Sequence, residues 1–191
     1  MNYKNLLHRV FLLISSPAKA WEEICMIEDK RSVMSGFVYP MISFCSLSVF
    51  IGTLLTNSLE GMQSVQMALT VCCGVAFALF GGYFFAAYLI NKFSVRFFGI
   101  PDSIALARQF TGYAMVVTFL LKIIAGILPD FIFIGLLLEF YIVYVVWEGC
   151  VIVMHIGEKN RFSFTIFSSL LIVMCPVLIE FVFDKLVFLL N

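Results

Sequence analysis

The chain has 191 residues, of which 62% are hydrophobic and only 13% are charged. Soluble domains carry about 25% charged residues, so this composition excludes an ordinary soluble domain and indicates a protein whose solvent is lipid. Equal numbers of acidic and basic residues leave no formal net charge, which argues against nucleic acid as a partner, because no overall positive field is present to attract it.

The N-terminal segment, residues 1–33, is predicted to form two short helices at the membrane surface. Apolar residues recur at helical spacing over residues 6–14, with polar and basic residues between them. This pattern is typical of an amphipathic helix that lies in the membrane interface. A second helix is predicted to begin at Pro17, because proline suits the first helical position. The alternative, a cleaved signal peptide, is disfavoured because the apolar run 10–14 is too short.

Five apolar stretches follow, each long enough to cross a bilayer, which requires about 20 apolar residues. The predicted spans are residues 36–56, 65–90, 103–128, 131–156 and 162–190. Together they define a transmembrane domain over residues 34–191. The predicted fold is therefore all-α: a polytopic membrane protein with a five-helix transmembrane bundle, preceded by the interfacial helices.

Span two carries a small residue at every fourth position. The members of this row are Gly74, Ala78, Gly82 and Ala86. Small residues at this spacing let a second helix approach closely. Packing within the bundle is the favoured interpretation, and a homodimer face is the alternative.

Lysine and arginine mark one side of the predicted bundle. Ten of the twelve lie in the N-terminal segment, in a predicted basic, aromatic loop at 91–102 with the start of span three, or in the loop 157–161. The positive-inside rule then predicts a cytoplasmic N-terminus and a C-terminus on the opposite side. Basic and aromatic side chains there are expected to contact lipid headgroups or a partner. The candidate surface consists of Lys4, Arg9, Lys19, Trp21, Lys92 and Arg96.

Six charged residues fall within the predicted spans: Arg108, Lys122, Glu139, Glu148, Glu180 and Asp184. A charge at mid-span costs about 2.5–3.5 kcal/mol on the insertion scale, so these side chains should face the bundle interior and pair. Position along the spans predicts that Arg108 and Glu148 share the cytoplasmic half and that the other four share the outer half. Pairing is expected within each group. Span four, which holds both Glu139 and Glu148, is expected to be the central helix.

Two interpretations of these buried charges remain open. In the first interpretation, the charged residues form a structural network that fixes helix packing. This interpretation is favoured because cations and acids nearly balance. Alternatively, spans three to five form a small ion, proton or lipid transporter or channel. No internal repeat supports the second interpretation.

The sequence offers no catalytic or metal-binding pattern. The six cysteines lack C-x-x-C spacing, and there are only two histidines. A Cys/His metal site needs a cluster of such ligands. Intramembrane proteases need paired aspartates, a Ser/His pair or a His-rich metal motif. We therefore expect a protein that is not an enzyme and that uses no cofactor.

The stretch Ser16-Pro17-Ala18-Lys19-Ala20-Trp21-Glu22-Glu23-Ile24 resembles the segment that precedes the first span in prokaryotic Yip1-domain proteins. The five spans and the predicted orientation also resemble that family. Further similar positions are Tyr113, Pro129, Tyr144, Trp147 and Gly149.

The resemblance implies an integral membrane protein that organises membranes or acts as an adaptor for other components. In a prokaryote, this protein would lie in the inner membrane. Its expected partners are membrane lipids and other membrane proteins or a second copy. Eukaryotic members of the family bind Rab-type GTPases. This sequence departs from them, since it lacks their Asp-Leu-Tyr-Gly-Pro motif and their long soluble N-terminal region, so GTPase binding is not carried over to any residue.

Overall fold

The computed structural model describes residues 3–26, 33–56, 61–128 and 131–190. Within these ranges the chain forms nine α-helices and no strand, with a π-helical turn at Met34–Val38. The helices are α1 (Tyr3–Ser15), α2 (Pro17–Cys25), α3 (Tyr39–Thr56), α4 (Met62–Phe98), α5 (Ile104–Ala114), α6 (Val116–Ile127), α7 (Ile132–Glu139), α8 (Tyr141–Ile152) and α9 (Glu158–Leu190).

Five helical stretches are long and apolar enough to cross a membrane, which confirms the predicted all-α fold with five spans. Spans one to five are Met34–Thr56, Met62–Phe98, Ile104–Ile127, Ile134–Ile152 and Glu158–Leu189. Spans three and four are each divided, at Met115 and Phe140 respectively. Span five continues as a helix through Pro176.

The predicted basic loop at 91–102 is largely helical, which corrects the predicted end of span two. Helix α4 continues to Phe98 because neither glycine nor proline occurs between residues 83 and 98. It ends at Gly99, whose φ of 64° is left-handed, and the amide of Ile100 donates to the carbonyl oxygen of Ser94 at 3.3 Å. Glycine in this conformation is a common helix stop. Lys92 and Arg96 therefore lie on the last two turns of α4.

Span three, and not span four, is the centre of the bundle. In span three 56% of the most apolar window is buried, compared with 28% in spans four and five. Helix α6 packs against α3, α5 packs against α4, and α8 and α4 both pack against α9. Span four is thus a peripheral helix, and much of its surface faces away from the bundle.

Candidate functional site

Helices α1 and α2 form an antiparallel hairpin, here called the N-terminal hairpin (residues 3–25). Its two helices pack against each other, and Nε2 of His8 lies 3.5 Å from a carboxylate oxygen of Glu23. Helix α2 packs along α8 in span four, and α1 contacts α6 in span three. The structure therefore places the hairpin alongside the spans, while its location in the membrane interface stays a prediction.

Two hydrogen bonds to span four show how far the hairpin extends. The Tyr141 hydroxyl donates to the carbonyl oxygen of Ile14 at 2.6 Å, and the Cys25 thiol donates to that of Ile152 at 3.7 Å. Tyr141 and Ile152 are about 16 Å apart along α8, at 1.5 Å per residue. The contacts of the hairpin therefore extend over roughly half of the ~30 Å that a span needs to cross the hydrocarbon.

Several polar backbone groups at the tip of the hairpin are hydrogen-bonded. The amide of Ser16 donates to the carbonyl oxygen of Leu12 at 2.8 Å, and the amide of Ala20 donates to that of Ser16 at 3.1 Å. The carbonyl of Ile14 accepts from Tyr141. Backbone at membrane depth requires such partners, so the tip is suited to lie beside the spans.

Trp21 fixes the hairpin to the bundle. It is fully buried, and its indole N–H donates to the carbonyl oxygen of Val145 at 2.9 Å. Its ring stacks on Phe110 at a centroid distance of 5.6 Å and meets Tyr113 edge-on at 6.2 Å. A Cβ added to Gly149 would lie 2.5 Å from this ring. The expectation that Trp21 contacts headgroups is therefore wrong, because its ring fills a slot inside the bundle.

Arg9 also faces inward, contrary to its predicted role at the lipid surface. One of its guanidinium nitrogens donates to the Tyr113 hydroxyl at 2.7 Å, and the side chain is half-buried. On the other helix of the hairpin, the Gln109 side-chain amide donates to the carbonyl oxygen of Ile24 at 3.2 Å. Two polar side chains of span three thus hold the hairpin, one on each helix.

The remaining members of the candidate surface are exposed. They are Lys4 and Lys19 on the hairpin, and Lys92 and Arg96 at the end of α4. Lys92 lies 5.9 Å from the centre of the Tyr88 ring, and Arg96 lies 5.9 Å from that of Phe97. Such basic and aromatic pairs suit a headgroup-level surface.

In the outer half, Lys122 of span three pairs with Glu180 of span five. The ammonium nitrogen lies 2.7 and 2.8 Å from the two carboxylate oxygens. Glu180 lines two cavities, of about 230 and 600 Å³, and Asp184 lines the larger with Gln63 and Gln66. Pairing within this group agrees with the depth argument, and the pair ties two spans together.

In the cytoplasmic half, Glu148 pairs with Arg161 at 3.6 Å. The expected pairing of Arg108 with Glu148 is therefore wrong. Arg161 belongs to α9, which begins four residues earlier than predicted, and its guanidinium also stacks 4.2 Å from the Trp147 ring centre. Arg108 lies 5.3 Å from the ring centre of Phe84 instead.

Glu139 has a different environment from the other intramembrane charges. It lines an apolar groove of about 440 Å³ between spans four and five, together with Ser169. Among the described residues, none forms an ion pair or hydrogen bond with its carboxylate, although Lys122 is close enough to attract it. In the part of the chain described, Glu139 and Asp184 are the intramembrane carboxylates without a direct ion pair, and of these two only Glu139 is partly buried.

The small-residue row of span two is covered by α9 of the same chain. All four of its members are buried. A Cβ added to Gly82 would lie 2.6 Å from Cα of Pro176, and one added to Gly74 would lie 2.9 Å from the Phe183 ring. The row therefore contacts span five of its own chain, and the choice between packing within the bundle and a homodimer face stays a prediction.

A second close helix contact was missed by the sequence reasoning. A Cβ added to Gly52 of span one would collide with the carbonyl oxygen of Gly126 in span three. The Ser48 hydroxyl donates to the carbonyl oxygen of Ile123 at 2.5 Å. With Cys45, these small residues recur at helical spacing, a signal that was available in the sequence.

Comparison with protein families agrees with this architecture. The sequence model of the Yip1 domain matches residues 11–179, which is most of the chain. The chain belongs to the Yip1 domain family. No curated protein and no solved structure gives a significant match. Trp21, Tyr113 and Gly149 meet where the hairpin contacts spans three and four.

Proposed function

We propose that this Yip1-domain protein is a non-enzymatic membrane organiser or adaptor that presents a basic surface to anionic lipid headgroups. The observation that carries the proposal is the contrast between two sets of charges. Lys122 and Arg161 pair with acids of the bundle, whereas Lys92 and Arg96 are exposed and form no ion pair with any described residue. Basic side chains near a membrane surface attract anionic lipids by about 1 kcal/mol each.

The N-terminal hairpin supports this role. It extends along half of span four, and its exposed Lys4 lies near the end of the hairpin that is farthest from the tip at Ser16. The orientation proposed from the lysine and arginine distribution puts Lys4 and the end of α4 on the cytoplasmic side. The hairpin and α4 then form a single basic surface toward one leaflet.

The proposal is tested by the lipid selectivity of the reconstituted full-length protein. Electron paramagnetic resonance measures how much spin-labelled phosphatidylglycerol or phosphatidylcholine the protein immobilises. We expect a larger immobilised fraction of phosphatidylglycerol, which decreases at high salt because exposed charges are screened. Replacing Lys92 and Arg96 by glutamine should reduce this preference, and Lys185→Gln, at the other end of the bundle, should not. Equal immobilisation of the two lipids by the wild-type protein would contradict the proposal.

A second candidate function is the transport of ions, protons or lipid. It is favoured by the position of Glu180 at two adjoining cavities, and opposed by the direct pairing of this carboxylate with Lys122. Proteoliposome flux separates the two functions. Flux at the level of protein-free vesicles supports the organiser, whereas flux that is abolished by Glu180→Gln assigns a transporter.

A further inference from the structure

We propose that the groove between spans four and five is the docking site for a transmembrane helix of another membrane protein, and that this helix is apolar with one basic side chain in the outer half of its span. The basic side chain would pair with Glu139. This inference rests on the adaptor role proposed above, because it requires a partner protein.

The shape of the groove fits a helix. Its walls consist of two rows of apolar side chains, Leu136, Phe140 and Val143 on span four and Ile166, Leu170 and Val173 on span five. Within each row the residues are three or four positions apart, so that they form a ridge along one face of each helix. A third helix packs into the space between two such ridges. Spans four and five are also the least covered of the five, each with 28% of the window buried.

The polar groups of the groove lie in its middle. Glu139 comes between Leu136 and Val143 along span four, and Ser169 comes between Ile166 and Val173 along span five. Ser169 is only 5% exposed, and its hydroxyl has no hydrogen-bond partner in the described structure. Polar groups without partners in an apolar environment are costly. The groove thus presents the half-buried carboxylate of Glu139 with apolar surface on both sides, while the hydroxyl of Ser169 is buried in its wall.

This arrangement distinguishes between the possible occupants. Glu139 lies five residues, about 7.5 Å, inside the outer end of span four at Ile134. A lipid carries its polar group at one end and has only methylene groups at this depth, so a lipid in the groove would leave Glu139 without a partner. A second copy of this chain would offer Lys122, which already pairs with Glu180, or Lys185, whose ammonium lies 5.8 Å from the centre of its own Phe181 ring. A helix with a lysine or arginine at the depth of Glu139 supplies both the apolar surface and the missing charge.

The experiment uses the full-length protein in phosphatidylcholine vesicles and two synthetic transmembrane peptides of about 20 leucine and alanine residues. One peptide has lysine about five residues from one end, which matches the depth of Glu139 in span four, and the other has leucine at that position. Association is measured by energy transfer from labelled peptide to labelled protein. We expect the lysine peptide to bind about tenfold more tightly, which corresponds to 1.4 kcal/mol. Because both peptides are compared on the wild-type protein, the test does not depend on a variant that folds.

Two variants then locate the site. Glu139→Gln should reduce binding of the lysine peptide to the level of the leucine peptide, whereas Asp184→Asn, which changes an exposed acid of span five outside the groove, should leave it unchanged. Equal binding of the two peptides to the wild-type protein would overturn the proposal, and so would an unchanged preference in Glu139→Gln. Energy transfer between copies of the protein that is lost in Glu139→Gln would overturn it in favour of a dimer.

The peptide result and the lipid-selectivity result separate the two proposals. If the lysine peptide shows no preference while Lys92 and Arg96 still select phosphatidylglycerol, the groove proposal fails and the organiser proposal stands. If the peptide binds at Glu139 while the lipid selectivity is absent, the basic surface is wrongly assigned and the docking site stands.

Discussion

The ring of Trp21 occupies the space beside Gly149 in which any larger residue would place its Cβ, at 2.5 Å from Cε2 of the indole. These two residues are far apart in the sequence, one in the N-terminal hairpin and the other in span four. Their fit explains why a tryptophan follows Pro17 on α2. The proline begins the helix, and the tryptophan one turn later enters the slot.

Replacing Gly149 by alanine should therefore weaken the attachment of the hairpin. Overpacking of this kind costs about 1–3 kcal/mol, and we expect the temperature of thermal unfolding in detergent to decrease. Gly135→Ala is the matched control on span four, because the nearest atom to a Cβ there is 4.0 Å away. Alanine is the better helix former, so the control should be neutral or stabilising. Equal unfolding temperatures for the two variants would contradict the close fit.

Tryptophan fluorescence should distinguish the two indoles. Trp21 is fully buried, whereas Trp147 is partly exposed beside Arg161. In the Trp147→Phe variant, the remaining emission of Trp21 should be blue-shifted and weakly quenched by acrylamide. The Trp21→Phe variant, which reports Trp147, should be quenched several-fold more strongly. If the two variants were quenched equally, Trp21 would not be enclosed as described.

The five spans could be predicted because each must be long and apolar enough to cross the bilayer, which is a property of a continuous stretch of sequence. The end of α4 could not be predicted from composition. A stretch with Lys92 and Arg96 among phenylalanines has the composition of a surface loop. The helix nevertheless continues to Gly99, where the backbone takes a left-handed conformation. The burial of Trp21 was missed for a different reason, since it depends on Gly149 and on no local pattern.

For the charged residues, the depth in the membrane could be predicted from the sequence, but the helix that each side chain faces could not. Counting residues from the turn predicts depth, and this placed Lys122 and Glu180 in one layer, where they pair at 2.7 Å. Counting does not determine which helix faces which. Glu148 therefore pairs with Arg161, which lies at the start of the next helix after a short connection. It does not pair with Arg108, although the two were predicted to lie at a similar depth.

Removing one member of the Lys122–Glu180 pair should destabilise the protein more than removing both. Removing one partner of a fully buried pair costs about 3–5 kcal/mol, whereas replacement of both by apolar residues is often neutral. The side chains of Lys122 and Glu180 are 30% and 28% exposed, so the loss here should be smaller but of the same sign. We expect Lys122→Met and Glu180→Met to unfold at clearly lower temperature, and the double variant to recover much of the loss. Lys185→Met, an exposed lysine of span five, is the control. Additive losses in the double variant would show that the two residues do not interact.

The two chain ends should lie on opposite sides of the membrane, because an odd number of spans separates them and lysine and arginine are concentrated at the starting side. Fusion of a phosphatase that is active only outside the cytoplasm, or of a fluorescent protein that matures only inside it, checks this orientation. We expect phosphatase activity from C-terminal fusions and fluorescence from N-terminal fusions. Both ends in one compartment would contradict five spans.

Two neighbouring glycines of α4 should respond differently to alanine. At Gly82 an added Cβ meets the backbone of Pro176 at 2.6 Å, whereas at Gly81 it meets the end of the Ile179 side chain at 2.9 Å. A side-chain end can move and the backbone of α9 cannot, so Gly82→Ala should cost about 1–3 kcal/mol and Gly81→Ala distinctly less. Unfolding in detergent measures both.

The same pair of variants tests what the small-residue row is for. If the row packs against α9 of its own chain, Gly82→Ala lowers stability at every protein concentration and leaves the molecular mass unchanged in light scattering. If the row joins two copies, Gly82→Ala instead shifts the protein from dimer to monomer, and its effect on unfolding depends on concentration. We expect the first result, because Pro176 and Phe183 already occupy the face on which a second copy would have to pack.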